Sequence, residues 1–206
     1  KFTASGLDIT DRTVGDILMG DILARYLEQY PDANIHMCVE NTKELLQRLD
    51  EGKIDFALVE GFFKKREYDF QKYSDEEYIP VCAPDYPFKK TPKHIGDLFG
   101  ERLLLREEGS GTREVLERYL DSQNLSLSDF RTRIEAGSLH TIKDLAKSGG
   151  GVTFLYEVAV RNELKSGTLV RIPLKDFRVS HEFAFIWRRG SIYASRYKEI
   201  FRRFSS

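Results

Sequence analysis

The stretch RLLLREEGSGTREVLERY, from Arg102 to Tyr119, is the one around which we interpret the rest of the chain. Its apolar run, residues 103–105, is too short for a helix and is flanked by charges, which is typical of a buried strand. The turn that follows contains two glycines, which permit a tight bend and a close approach of a ligand to the backbone. Ser110 or Thr112 can then cap a helix whose apolar residues recur at helical spacing.

A strand, a turn bearing hydroxyls and a helix N-terminus together direct N–H groups at one point, an arrangement that suits an anion. Taken alone, the stretch is better explained as a tight turn that binds nothing, because it lacks the lysine of a P-loop and is not G-x-G-x-x-G. Similar turns elsewhere in the chain favour the binding interpretation.

The bulk composition excludes several classes of protein. The chain has 206 residues, enough for one large domain or two small lobes. Its 32 Lys and Arg residues nearly balance 33 Asp and Glu, so the chain has no excess of positive charge that would hold nucleic acid. No apolar run approaches the ~18 residues of a membrane span, and no signal peptide opens the chain. We therefore expect no membrane contact, a cytoplasmic location, and reduced thiols at Cys38 and Cys82.

Two segments of the chain repeat one pattern. Residues 35–59 and 130–155 each read as a strand, a polar cap, a short helix, a glycine stop and an apolar strand. The run IDFALV (54–59) is apolar enough for the centre of a parallel sheet. Pro80 lies where a central strand would not tolerate it, which predicts that the chain leaves one sheet for another there. The pattern predicts an α/β fold built as two similar halves.

Four strand-to-helix turns carry small polar residues that can cap a helix. In an open α/β sheet, ligands bind outside the carboxyl ends of the strands, where the helices begin. If the halves face each other, these turns line a cleft rich in hydroxyls and N–H donors, which indicates a pocket for a small carboxylate or other anion. The candidate ligand-binding residues are Thr10, Thr13, Asn41, Thr42, Gly109, Ser110, Thr112 and Ser138.

Catalytic and metal-binding patterns are missing from the sequence. The four histidines are scattered, and no H-E-x-x-H, H-x-x-E-H or C-x-x-C spacing occurs. Ser110 stands in G-S-G rather than in a G-x-S-x-G elbow. We therefore expect no catalytic residue, no metal and no cofactor, and no enzyme activity.

Three motifs occur in order along the chain. They are N-T-x-x-L-L-x-x-L-x-x-G-x-I-D-F-A-L-V-E-G at Asn41–Gly61, L-R-E-x-G-S-G-T-R at Leu105–Arg113 and G-S-x-x-T-I-K at Gly137–Lys143. As a set, they resemble the effector-binding domain of LysR-type transcriptional regulators. Order and spacing match that family from about Leu7 to the C-terminus.

The resemblance implies two Rossmann-like subdomains with a ligand cleft between them, as in type 2 periplasmic binding proteins. Subdomain I would comprise residues 7–80 plus 181–206, and subdomain II residues 81–180. The resemblance also implies a small-molecule effector and a homodimer or homotetramer. From the polar turns, we expect this effector to be an anion. No winged helix-turn-helix pattern precedes Leu7. We therefore expect DNA contact only through an N-terminal domain outside this chain.

Some residues depart from what an anion site needs, and other functions stay open. Asp11, Glu107 and Glu108 would repel an anion unless they point away. A free-standing solute-binding protein of the same fold would carry an export signal, and an enzyme on a two-lobed scaffold is possible because fold does not determine function.

In the helix predicted at Val14–Tyr30, extra apolar residues widen the apolar face, which predicts a dimer interface there. These extra residues are Met19, Leu23 and Leu27.

Overall fold

The computed structural model describes residues 10–32 and 39–204. Its elements, in chain order, are β1 (Thr10–Asp11), α1 (Arg12–Ile17), α2 (Met19–Gln29), β2 (Val39–Glu40), α3 (Thr42–Asp50), β3 (Phe56–Val59), β4 (Tyr68–Cys82), β5 (Arg102–Arg106), α4 (Gly111–Ser122), β6 (Thr132–Ala136), α5 (Leu139–Lys147), β7 (Val152–Tyr156), α6 (Glu157–Ser166), β8 (Val170–Arg171), β9 (Val179–Arg188) and α7 (Ala194–Phe204). Two short 3₁₀ helices also occur: Ile95–Leu98 precedes β5, and Leu127–Asp129 precedes β6.

The chain divides into two compact units. Unit 1 comprises Lys1–Asp75 and Glu182–Ser206, and unit 2 comprises Glu76–His181. The strands β4 and β9 carry the chain from one unit to the other. The sequence placed these divisions at 80/81 and 180/181.

Unit 1 is built on a sheet with the strand order β2-β1-β3-β9. β1 runs parallel to both β2 and β3, whereas β9 runs antiparallel to β3. The expectation that β3 lies in an all-parallel sheet was therefore wrong on one side. Leu45 and Leu49 of α3 are fully buried with Ala57, Val59 and Ile186, so the helix covers one face of the sheet. Burying this apolar stripe is the main stabilising contribution of α3.

Unit 2 is built on the order β4-β7-β5-β6, with β8 pairing to β4. β5 is parallel to β6 and to β7, and β7 is antiparallel to β4. Gly151 enters β7 so close to β5 that an added Cβ would lie 2.4 Å from the Arg102 carbonyl oxygen. A glycine is required here because any side chain would collide with the neighbouring backbone.

The helix predicted at Val14–Tyr30 is divided at Leu18 into α1 and α2. Hydrogen bonding nevertheless continues across the division, because the Leu18 N–H donates to the Val14 carbonyl at 2.9 Å. Met19 is 0% exposed within this single chain, so its expected place on an outer face was wrong. Leu23 is half-buried, and Leu27 is 40% exposed.

The strand β4 runs without interruption from Tyr68 to Cys82, through the position where the sequence predicted that the chain leaves one sheet for another. Pro80 lies inside β4 opposite Phe154 of β7. It has no N–H to offer, but its carbonyl accepts a hydrogen bond from the Ile172 N–H at 2.9 Å. Pro80 is thus accommodated by its pairing, and it does not mark the end of a sheet.

Some expectations fall on residues outside the described part of the chain. These are the strand residues at Leu7–Ile9 and at Ile35 and Met37, together with Cys38. Among the described residues, no helix has both the length and the apolar character needed to cross a membrane.

Candidate ligand-binding site

The turn between β5 and α4 is shaped by Gly109 and Ser110. Gly109 has φ +88°, in the left-handed region that favours glycine, and the Ser110 N–H donates to the Glu107 carbonyl at 3.2 Å. Ser110, rather than Thr112, takes the N-cap position, with φ −70° and ψ 132°, and its carbonyl accepts from the Glu114 N–H at 3.0 Å. The sequence had left these two residues as alternatives.

The Ser110 hydroxyl is buried and unpaired within the part of the chain that the structure describes. The residue is 1% exposed, its side chain makes no capping bond, and its Oγ has no hydrogen-bond partner among the described residues. A buried hydroxyl without a partner costs free energy, about 1–3 kcal/mol, that a ligand can recover. It stands at a helix N-terminus, where N–H groups lack intrahelical partners and the helix dipole favours negative charge.

Arg106, the last residue of β5, is a functional candidate that sequence reasoning missed. It is only 2% exposed, and its Nε and Nη2 donate to the two carboxylate oxygens of Glu107 at 2.9 and 3.2 Å. The carboxylate of Glu107 is therefore compensated, while Glu108 is exposed. The available signal was an arginine that ends an apolar strand directly before a glycine turn.

Tyr78 of β4 anchors the first turn of α4. Its hydroxyl donates to the Thr112 carbonyl at 2.7 Å, and both residues are buried. Its ring packs edge-on against Tyr156 at 5.2 Å. The hydrogen bond and the ring contact of Tyr78 thus fix the N-terminus of α4 against β4, the strand that enters unit 2.

The turn after β6 belongs to the same sheet edge. Arg106 and Ala136 are register partners in the parallel pair β5–β6, so the turns that follow them leave the sheet at one end. Ser138 caps α5, its Oγ accepting from the Thr141 N–H at 3.3 Å, and it is exposed. The Ser138 hydroxyl, unlike that of Ser110, is therefore already hydrogen-bonded to the protein backbone.

The remaining residues of that third motif are structural. Lys143 Nζ lies 2.7 Å from Glu163 Oε1 and donates to the Ala159 carbonyl at 2.9 Å, which joins α5 to α6. His140 is exposed and lies 3.1 Å from the Asp144 carboxylate. Neither side chain adds to a ligand site.

In unit 1, Asn41 caps α3 with a capping box. The Glu44 N–H donates to Asn41 Oδ1 at 3.0 Å, and the Asn41 N–H donates to Glu44 Oε2 at 3.2 Å. Thr42, the first helical residue, is 2% exposed. A Cβ on Gly61 would lie 2.6 Å from the Thr42 Cγ2, so the glycine after β3 makes room for this threonine.

The first predicted turn is placed only by its backbone. Thr10 lies in β1, opposite Val39 of β2 and Leu58 of β3, and Thr13 lies in α1. Their side chains fall outside what the structure describes. The parallel register places the end of β1, the Asn41 cap and the end of β3 at one edge of the unit 1 sheet.

The structure thus brings the predicted residues together in two groups. Gly109, Ser110, Thr112 and Ser138 lie at one sheet edge of unit 2, and Asn41 and Thr42 lie at one sheet edge of unit 1.

The described residues include one cysteine, Cys82, at the end of β4. Cys82 is a free, buried thiol, and burial raises its pKa to about 11, so it carries almost no thiolate at neutral pH. No group of three or more potential metal ligands occurs within residues 10–32 and 39–204.

Two α/β units with polar helix caps at the carboxyl ends of parallel strands define a small-molecule binding domain. The family model of the LysR substrate-binding domain matches residues 10–203. The chain therefore belongs to this family, and its fold is of the type 2 periplasmic-binding-protein-like kind.

Relatives of the chain include transcriptional regulators. YeiE, an uncharacterized HTH-type transcriptional regulator of Escherichia coli K12, is 29% identical over 164 residues, which cover 79% of this chain and 55% of that protein. OxyR of the same organism, a DNA-binding transcriptional dual regulator, is 26% identical over 189 residues, covering 91% and 61%. The chain thus spans little more than half the length of the curated relatives it matches.

Solved structures show the same fold. The CcmR regulatory domain of Synechocystis PCC6803 in complex with 2-PG has a TM-score of 0.83 at 19% identity, covering 97% of this chain and 95% of that one. The reduced form of OxyR has a TM-score of 0.77 at 25% identity, covering 98% and 94%.

Proposed function

We propose that this chain is the ligand-sensing domain of a LysR-type transcriptional regulator and that it binds a small anionic effector. Family membership and the regulators among its relatives support this proposal. In the whole protein, effector binding would bias an oligomer that presents an N-terminal DNA-binding domain. These relatives do not favour a free-standing solute-binding protein or an enzyme.

The Ser110 hydroxyl is the observation that carries the anion assignment. Three buried side-chain oxygens lack a partner among the described residues, those of Gln71, Ser74 and Ser110, and of these that of Ser110 alone stands at the start of a helix, the twelve-residue α4. A carboxylate or phosphate oxygen at this point would accept a hydrogen bond from Oγ and from N–H groups of the first turn of α4. Such charge-assisted bonds are about twice as strong as neutral ones.

The surroundings of Ser110 are consistent with negative charge. The buried Arg106 guanidinium ends the preceding strand, and its pairing with Glu107 compensates the charge of that carboxylate. Ser138 leaves the same sheet edge and adds a second helix N-terminus. Gly109 and Thr112 belong to the same turn as Ser110. In unit 1, we keep Thr10 in β1 and Thr13, Asn41 and Thr42, which follow strand ends, as further candidate ligand-binding residues.

The proposed partners are the effector, a second copy of the chain, and DNA through the N-terminal domain alone. The exposed Leu27 on α2 and Tyr30 at its C-cap offer apolar surface for a homodimer or homotetramer. A cytoplasmic location follows from this role in transcription.

The experiment has two stages. Native mass spectrometry of protein purified from cells would reveal a retained small molecule by its mass. The purified chain is then titrated with inorganic phosphate, sulfate and 2-PG, which serve as probes of different anion shape. At a hundred times its Kd, a bound probe should stabilise the fold by ~2.7 kcal/mol, a rise of roughly 5–10 °C in Tm.

The variant Ser110→Ala should weaken binding of the probe by about tenfold to a hundredfold. Ser195→Ala, on the exposed surface of α7, is the matched control and should bind as tightly as the parent. If Ser110→Ala binds a confirmed effector with unchanged affinity, the anion site is not at α4.

A further inference from the structure

Unit 2 contains a cavity of about 390 Å³ that shares no residue with the proposed anion site. Its walls come from β4 and from the segment that leads from β8 into β9. Pockets that bind small molecules have volumes of roughly 300–1,000 Å³, so this cavity suits a small ligand.

The inner wall of the cavity is apolar and held in place. Ile79, Ile172 and Phe177 are each almost fully buried. The Phe177 ring packs 4.5 Å from the Tyr119 ring and 5.0 Å from the Phe154 ring. This surface needs little reorganisation to accept the apolar part of a ligand.

The two arginines that line the cavity differ in their pairing. Arg171 is committed, because its Nη1 donates to Glu77 Oε1 at 2.7 Å and its Nη2 also contacts Glu157. Arg178 is exposed and forms no ion pair or hydrogen bond with any residue that the structure describes. Arg178 is therefore a cation that is available to a ligand beside the apolar wall of the cavity.

We propose that this cavity binds a small amphipathic monocarboxylate. Its apolar body packs against Ile79, Ile172 and Phe177, and its carboxylate pairs with Arg178. A single negative charge is favoured because Arg171, the other cation of the rim, is already paired with the carboxylates of Glu77 and Glu157. A second carboxylate would meet no unpaired cation there.

The position of the cavity makes such binding consequential. Glu77 and Ser180, which both line it, lie within the strands that carry the chain from one unit to the other. A ligand that contacts both strands would restrict their bending. This second site does not depend on the anion site at α4.

The test uses phenylacetate as the probe and phenylacetamide as its neutral counterpart. In ¹⁵N–¹H spectra of the purified chain, phenylacetate should cause saturable shifts of the amides of Ile79, Ile172 and Phe177, and phenylacetamide should bind at least about tenfold more weakly. Equal binding of both probes, no saturation, or shifts centred on Ser110 and Thr112 would overturn the proposal.

Matched variants locate the charge and the wall. Arg178→Gln should weaken phenylacetate binding by about tenfold. Arg161→Gln, which changes an exposed arginine of α6 outside the cavity, should leave phenylacetate binding unchanged.

Ser180→Trp, at the exposed edge of the cavity, should block binding by filling space without entering the core. Ser110→Ala should leave the phenylacetate-induced shifts of Ile79, Ile172 and Phe177 unchanged, which separates this site from the proposed effector site. Binding that survives both Arg178→Gln and Ser180→Trp would refute this assignment.

Discussion

Replacement of Ser110 by alanine should have opposite effects on stability and on binding. An N-cap serine normally stabilises its helix through a side-chain bond, and its loss costs about 1 kcal/mol. Here the Ser110 side chain makes no such bond, and its buried Oγ is unpaired. Alanine removes the unpaired group, so the unliganded variant should be as stable as the parent or more stable.

The magnitude follows from the cost of an unpaired buried hydroxyl, about 1–3 kcal/mol. Part of this gain is lost because alanine packs less well than serine in the same space, which leaves an expected stabilisation of ~0–2 kcal/mol. For a chain of this size, that is a rise in Tm of at most roughly 4–8 °C. Urea unfolding and calorimetry of the unliganded protein measure it.

Asn41→Ala is the matched cap control. Asn41 accepts from the Glu44 N–H at 3.0 Å in a complete capping box, so its loss should cost ~0.5–2 kcal/mol. A Ser110→Ala variant that loses ~1 kcal/mol or more, as expected for Asn41→Ala, would show that the hydroxyl caps α4 and would refute the reasoning.

Three further predictions concern packing and charge. Gly61→Ala should destabilise the fold by ~1–3 kcal/mol in urea titrations, because its Cβ would lie 2.6 Å from the buried Thr42 Cγ2. Gly20→Ala in α2, where nothing lies within 4 Å, should instead stabilise by ~0.5–1 kcal/mol, and similar effects of the two changes would contradict the clash. Lys143→Met should cost ~1.5–3 kcal/mol in the same assay because the Lys143–Glu163 pair is less than one-fifth exposed, whereas exposed Lys165→Met should stay within ~0.5 kcal/mol. The hydrogen bond from Arg171 holds the pKa of Glu77 below its ordinary value of 4.5, so its stabilisation is present above about pH 4.5 and is lost as the pH falls through the folded pKa. Arg171→Gln should raise this pKa in an NMR titration, with a stability change of only ~0–1 kcal/mol because the pair is exposed, and an unmoved Glu77 pKa would count against the pairing.

Local signals predicted most of the elements. The Asn41 cap, the leucine spacing and Gly52, which has φ +68°, bound α3 as expected. The apolar run at 103–105 and the glycine turn predicted β5 and α4 in the same way. Each of these signals depends on residues within a few positions of one another.

Elements that depend on distant partners were missed or misplaced. The first half of β4, from Tyr68, is rich in polar residues, and its pairing involves β9, more than a hundred residues away. Met19 reads as an extra apolar residue on a helix face, but the tertiary structure buries it completely. Periodicity shows that a face is apolar and does not show what covers it.

The sequence by itself determined the alternation of strands and helices, the polar turns at the strand ends and the family resemblance, because these depend on residue order and local conformation. Only the tertiary structure decided how the polar groups are used. It joins the Tyr78 hydroxyl to the Thr112 carbonyl and Lys143 to Glu163, and it leaves the Ser110 hydroxyl buried without a partner among the described residues. Burial and pairing arise from contacts between segments far apart in the chain, so no local pattern can encode which hydroxyl is left unpaired.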